Sequence, residues 1–320
     1  MLTKTALAVL LFVFCLAPVA VTSGQSRAPI TGEWRIEFKD KNPDEVQLTM
    51  SRGKSQSSGH GIKISEVQGL SRSYETTQAD VTLRIVRDGG TFDLTGRFTN
   101  GQGAGTFTLT PNESFFSALA VRGYTNLSDD QVFSAAVSGL KISSVDELKA
   151  AGYDRLTFNN LIESTIFKID AAFIADLRSA GFDQLPFNKL VEASIFKVDS
   201  NYVREVQTLG FGQMPFQKLI EMRVQNITPE YISQVRQLGF NDLNVDRLVE
   251  LKIFKVTPEF VNEMRAAGFT SVTPQQLVNL RIFKIDGDYA RKAKSQDPNI
   301  TVEQLVNQKI FEKQSTRAIQ

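Results

Sequence analysis

Residues 152–181 read GYDRLTFNNLIESTIFKIDAAFIADLRSAG, and the fold turns on this stretch. Thr157 supplies a side-chain oxygen where a helix would start. Phe158, Leu161, Ile162 and Ile166 then recur at helical spacing, which predicts a first helix over residues 158 to about 167. Asp170 is a second N-cap, and Phe173, Ile174, Leu177 and Ala180 form the apolar stripe of a second helix. Gly181 ends it, because glycine accepts the left-handed backbone of a Schellman stop, and the apolar Phe182 follows as that motif requires. Helices of about ten residues are only some 15 Å long and do not survive alone in water.

The stretch repeats. Gly123, Gly152, Gly181, Gly210, Gly239 and Gly268 are each 29 residues apart, and each is followed by an aromatic, from Tyr124 to Phe269. The phrase Ile-Phe-Lys stands at 166–168, 195–197, 253–255 and 282–284. Asp199, Thr228, Thr257 and Asp286 repeat the N-cap of Asp170, with Pro229 and Pro258 in the first turn. Ser128 with Gln131, and Thr273 with Gln276, match capping boxes. Several concordant columns at one period mark a repeat array. A single helix pair cannot cover its own apolar face, so neighbouring pairs must stack into an α-solenoid. The array is expected over residues 112–312, starting at Asn112-Glu113-Ser114. It decays through Asp297 and the polar helix carrying Arg291, Lys292 and Lys294 to a last Ile310-Phe311-Glu312, and residues 313–320 read as a polar tail.

Residues 30–111 change period. Apolar and polar residues alternate in Trp34–Phe38, Val46–Met50, Val81–Ile85, Phe92–Phe98 and Gly105–Leu109, with turn signals at Asn42-Pro43-Asp44, Asp88-Gly89-Gly90 and Asn100-Gly101. This predicts a twisted antiparallel sheet or small barrel of about five to seven strands, with residues 51–60 as a polar loop. The fold class is therefore α+β and multidomain.

Residues 1–24 read as a secretory signal: Lys4, an apolar run over 5–17, then small residues at Ala20, Ser23 and Gly24. The run is short for a membrane span, and no second one follows, so no stable membrane insertion is expected after the signal is removed. The expected location is periplasmic or secreted. Cys15 is the only cysteine, and the residues before it lack the small side chain of a lipoprotein signal. A chain without the signal has no thiol for a disulfide, nucleophile or thiolate metal site. Lys and Arg number 36 against 35 Asp and Glu, which gives no reason to expect a nucleic-acid partner.

Residues suited to chemistry are few. His60 is the only histidine, so catalytic or zinc sites built on several histidines are excluded. Gly101-Gln102-Gly103-Ala104-Gly105 lies between two strands rather than before a helix, and reads as a hairpin turn. Glu163, Glu192, Glu221 and Glu250 share one repeat position, as a solvated stripe would. Neither a cofactor nor an enzymatic activity is expected. The column of interest is Phe167, Phe196, Phe254 and Phe283, beside Lys168, Lys197, Lys255 and Lys284. On a helical wheel Phe167 falls opposite the apolar centre set by Phe158, Leu161, Ile162 and Ile166. The rings either pack against the next copy or form an exposed ladder for a protein or peptide partner, broken at Gln225 and Ser138.

Phrases such as Ile227-Thr228-Pro229-Glu230-Tyr231 and Val256-Thr257-Pro258-Glu259-Phe260, followed by Met264 to Phe269, resemble repeats in exported bacterial proteins. They are similar to the extracytoplasmic tails of β-lactam-sensor-like (BlaR-like) membrane metallopeptidases. The peptidase part of such proteins carries membrane helices and a His-Glu-x-x-His zinc motif, and this chain has neither, so the enzymatic role does not carry over. The resemblance implies a bacterial envelope location and a sensing or partner-binding module. The expected function is an exported scaffold binding a partner through the solenoid. The alternative is a carrier of small apolar ligands that uses the β domain as a calyx lined by Trp34, Leu48, Leu83 and Phe107.

Overall fold

The computed structural model describes residues 27–39, 42–53 and 56–317; the expected signal, residues 1–24, lies outside them. The chain divides into two compact units, one ending at Val121 and the other beginning at Arg122.

The first unit holds β1 (Ile30–Phe38), β2 (Glu45–Arg52), β3 (Gln56–Lys63), β4 (Ala79–Arg87), β5 (Gly90–Thr99), β6 (Gln102–Pro111) and α1 (Glu113–Val121). The strands form one antiparallel sheet in the order β3-β2-β1-β6-β5-β4. Alternation works as physics requires: Trp34 and Ile36 are buried, while Arg35 between them and Glu33 and Glu37 on either side are exposed. β3 occupies much of the expected loop over 51–60. It is a Ser/Gly-rich edge strand: exposure alternates along residues 57–63, but Ile62 is the one large apolar side chain among them, so the sequence shows no apolar–polar alternation. β3 and β4 do not pair to close a barrel. Instead Gln68 exchanges two backbone hydrogen bonds with Arg84, at 2.8 and 3.0 Å, and covers part of the β4 edge.

Glycine lets the large rings lie flat inside the sheet. A Cβ on Gly96 would meet Trp34 at 2.7 Å, and one on Gly103 would enter the ring of Phe98. Trp34 and Phe98 stand 6.0 Å apart, and the indole Nε1–H donates to the Thr95 carbonyl at 3.2 Å. Asn100 and Gly101, both at positive φ (49° and 80°), turn β5 into β6. The run after them belongs to β6 itself. α1 is tied to this unit. The Asn112 side chain donates to the Asp88 carbonyl at 2.9 Å, Glu113 accepts from the Arg27 N–H at 2.7 Å, and the Arg27 guanidinium lies 4.7 Å from the Phe116 ring. The unit boundary therefore falls after α1 rather than at residue 112.

The second unit comprises α2 (Asp129–Ser138), α3 (Ile142–Ala150), α4 (Phe158–Ile166), α5 (Ala171–Ser179), α6 (Phe187–Phe196) and α7 (Ser200–Val206), the last running on through a widened turn to Phe211. It continues with α8 (Phe216–Val224), α9 (Pro229–Gln237), α10 (Val245–Ile253), α11 (Pro258–Ala266), α12 (Pro274–Ile282), α13 (Gly287–Gln296) and α14 (Val302–Arg317). Residues 313–317 of the expected tail are thus helical. Asp170, Asp199, Thr228, Thr257 and Asp286 each accept from the backbone N–H three residues on, as N-caps do. Among the described residues no helix is long and apolar enough to cross a membrane.

Each even-numbered helix from α2 to α12 packs on the next even-numbered one, while α5 packs on α7 and α11 on α13. Polar side chains tie the same neighbours together. Arg178, Arg236 and Arg265 each donate, at 2.6 Å, to the carbonyl found 27 residues earlier, on Ala151, Leu209 and Leu238. Asp176 accepts from the N–H and hydroxyl of Ser200, and Glu263 from the N–H of Gly287, at the start of the next odd-numbered helix. Arg223 lies 3.6 Å over the Tyr202 ring and donates to the Lys197 carbonyl at 3.0 Å; Arg281 lies 4.1 Å over Phe260 and donates to the Lys255 carbonyl. An exposed cation would gain little here. One that also covers a buried ring and satisfies a helix-end carbonyl contributes packing as well as charge.

Two outcomes follow from these contacts. Gly96→Ala should destabilise the first unit by about 1–3 kcal/mol, because neither Trp34 nor the Ala104 carbonyl can retreat. Urea unfolding followed by the fluorescence of Trp34, the single tryptophan, measures this. In the second unit, burial pushes the phenols of Tyr202, Tyr231 and Tyr289 up to about 12. A phenol held neutral by folding contributes stability that is complete below the unfolded value of 10.0 and is lost as pH rises towards 12. Absorbance titration should therefore show these three tyrosines ionising only together with alkaline unfolding of the helices.

Candidate functional site

The even-numbered helices turn an unexpected side outward. Their buried stripe runs through Phe158, Leu161 and Ser164 in α4, and the column at Ser164 continues as Ala193, Met222, Leu251 and Leu280, all buried. With the core centred there, Ile166 rotates to the surface. Ile166, Ile195, Val224, Ile253 and Ile282 are 59%, 49%, 52%, 52% and 47% exposed, one on each of the five helices α4, α6, α8, α10 and α12. Phe167, Phe196, Phe254 and Phe283 are half-buried. The exposed ladder is thus aliphatic rather than aromatic, and the break expected at Gln225 vanishes because Val224 fills that rung. Phe311, in the last copy, is 69% exposed, and among the described residues no further helix follows to cover it.

Two residues beyond each exposed aliphatic the backbone is left-handed. Lys168, Lys197, Asn226, Lys255 and Lys284 have φ of 53°, 54°, 51°, 54° and 56°, and Gly139 holds the equivalent place in the first copy at 74°. Here the next residue donates back across the helix end: the Ile169 N–H to the Ser164 carbonyl at 2.8 Å, and Val256 to Leu251 at 2.9 Å. Ile169, Val198, Ile227, Val256 and Ile285 are all buried. Each even-numbered helix from α4 to α12 therefore ends in its own Schellman motif. The buried aliphatic after each lysine was a readable signal for it, but lysine at the position that favours glycine concealed the stop. The left-handed conformation costs a residue with a Cβ about 1 kcal/mol.

The four lysines are exposed, and among the described residues their side chains have no ion-pair or hydrogen-bond partner. The neighbouring cations are engaged. Lys189 binds Glu192 at 2.7 Å and Gln217 at 2.9 Å, Lys218 binds Glu221 and Asp246, and Arg247 binds Glu250 and Gln275. Glu163 accepts from Asn160 at 3.0 Å. Lys189, Lys218 and Arg247 thus each join the glutamate of their own helix to a side chain on the next even-numbered helix, from α6 to α12. Among the described residues no group of three or more His, Cys, Asp or Glu side chains is placed to hold a metal ion.

In the first unit, Trp34, Leu48, Leu83 and Phe107, the residues of the expected calyx, are each 1% exposed. Two concavities of about 620 and 670 Å³ lie on the sheet; Arg35, Glu37, Arg97, Gln102 and Ala104 line the first, and Thr31, Glu33, Ser51 and Thr108 are among those lining the second. His60 sits on β3, and burial lowers its pKa. No family model matches this chain, and comparisons with curated proteins and with solved structures return no match.

The helix-end lysines yield a stability test. Replacing Lys168, Lys197, Lys255 and Lys284 by glycine relieves a left-handed Cβ at four helix ends while giving the unfolded chain more freedom. The balance should raise stability by about 0.5 kcal/mol per site. Thermal unfolding of the fourfold variant is the measurement, and a fall in Tm would show that the lysines support the fold.

Proposed function

We propose that this chain is an exported, non-enzymatic scaffold whose second unit is an α-solenoid of 29-residue helix-pair repeats, and that it binds a protein or peptide partner along the strip of Ile166, Ile195, Val224, Ile253 and Ile282. The observation that carries the reading is the strip itself: large aliphatic side chains about half exposed at one position of five successive copies, with an unpaired lysine two residues on in four of them. Single exposed aliphatics are ordinary; a periodic row is a surface waiting for cover. The solenoid reading is supported by the packing of each even-numbered helix on the next and by side-chain bonds that recur about one repeat apart, such as Arg236 to Leu209 and Arg265 to Leu238. The apolar leader supports export. Placement in a bacterial envelope as a sensing module rests on the resemblance of the repeats to the tails of β-lactam-sensor-like membrane metallopeptidases.

The test is crosslinked affinity capture from the envelope fraction with the wild-type chain and an Ile195→Ser/Ile253→Ser variant. Both side chains are about half exposed, so the variant should keep its circular dichroism and Tm within a few degrees. Loss of the captured partner with the fold intact is the expected result; equal capture by both proteins would count against the strip.

A further inference from the structure

From the geometry of the strip we infer its occupant: an extended segment of a partner polypeptide in the polyproline II conformation, with an aliphatic residue at every third position and a carboxylate beside it. This inference rests on the scaffold reading above and deepens it. Helices packed side by side lie about 8–10 Å apart, so the even-numbered helices α4 to α12 set rungs at that interval. A polyproline II chain advances about 3.1 Å per residue and returns the same face every three residues, roughly 9 Å, which matches one rung. A β-strand alternates faces every two residues and cannot present one side chain to each successive rung.

Charge gives the second requirement. Lys168, Lys197, Lys255 and Lys284 adopt a strained backbone and have no partner among the described residues, whereas the glutamates on the same helices are already bound by the cation or amide three residues before them. The charge left to be met is positive and occurs once per rung, with a gap at Asn226 in the middle. An acidic triplet chain meets it. An anionic membrane would meet the same lysines, but a flat headgroup surface has no repeat to match the rung interval, whereas the triplet chain does; the vesicle arm of the test separates the two.

The test uses the full chain and a labelled Leu-Pro-Glu repeat peptide of about five turns, read by fluorescence anisotropy. Saturable binding is expected. It should weaken at least tenfold for a scrambled peptide of equal composition, for the Ile195→Ser/Ile253→Ser variant, and for the fourfold Lys→Gly variant at 168, 197, 255 and 284. That last variant separates binding from folding, since it is expected to be no less stable than the wild type. Replacing the glutamate of the central triplet by glutamine should cost less than twofold, because Asn226 stands opposite it, while the same change in a flanking triplet costs severalfold. Equal binding of the scrambled peptide, indifference to the lysines, or attachment to vesicles of equal phosphatidylglycerol and phosphatidylcholine without peptide binding would each overturn the inference. If envelope capture depends on the aliphatic rungs but the triplet peptide does not bind, the scaffold reading stands and this occupant falls.

Discussion

A helix of nine residues cannot hide its apolar side alone, and everything in the second unit follows from that constraint. Leu161, Leu190, Leu219, Leu248 and Leu277 are almost fully buried although each sits on a helix of only nine or ten residues. Burial comes from the neighbouring helix of the same row, and polar groups freed at helix ends are met by side chains of neighbouring helices. Arg223 on the Lys197 carbonyl and Asp176 on the Ser200 N–H are cases in which one copy completes the hydrogen bonding of another. In the solenoid reading proposed above, stability is then shared between neighbours and not owned by any one helix pair. Phe311, at the position whose counterparts are half-buried, is the complement: with no following helix described, its ring is bare.

The same constraint leaves one side of each even-numbered helix from α4 to α12 uncovered among the described residues. The aliphatic rungs and the left-handed lysines stand there, and both depart from what stability alone would choose. Glycine at 139 and asparagine at 226 are residues that tolerate the left-handed region, while lysine at the other four places accepts strain in return for a charge that nothing nearby consumes. The left-handed residue itself closes each helix end, and in the reading proposed above the lysine charge is what a partner would meet.

The first unit solves a different problem. Six strands with one apolar face enclose large rings, and the sheet makes room by omitting side chains on β5 and β6, where Gly96 and Gly103 lie against Trp34 and Phe98. Its residues pack closely on one another, and the concavities of the sheet are lined mostly by polar and small side chains, with Phe107 at the edge of one.

Much of this was legible from the residues alone. Helix starts were readable because Asp170, Thr228 and Thr257 act on their own backbone a few bonds away, and the helix stops at Gly152, Gly181 and Gly268 for the same reason. Alternation in β1, β4 and β5 is equally local. Tertiary structure decided what depends on distant atoms. Edge strand β3 forms because β2 offers it hydrogen bonds, not because Ser57, Ser58 and Gly59 prefer to be extended. The outward turn of Ile166 depends on which face the neighbouring helix covers. The copy at 152–181 hid that face behind Ser164, and Met222, Leu251 and Leu280 reveal it as core. A single helix of sequence contains its periodicity but not the direction of its neighbour, and that direction separated a half-buried phenylalanine column from an exposed aliphatic one.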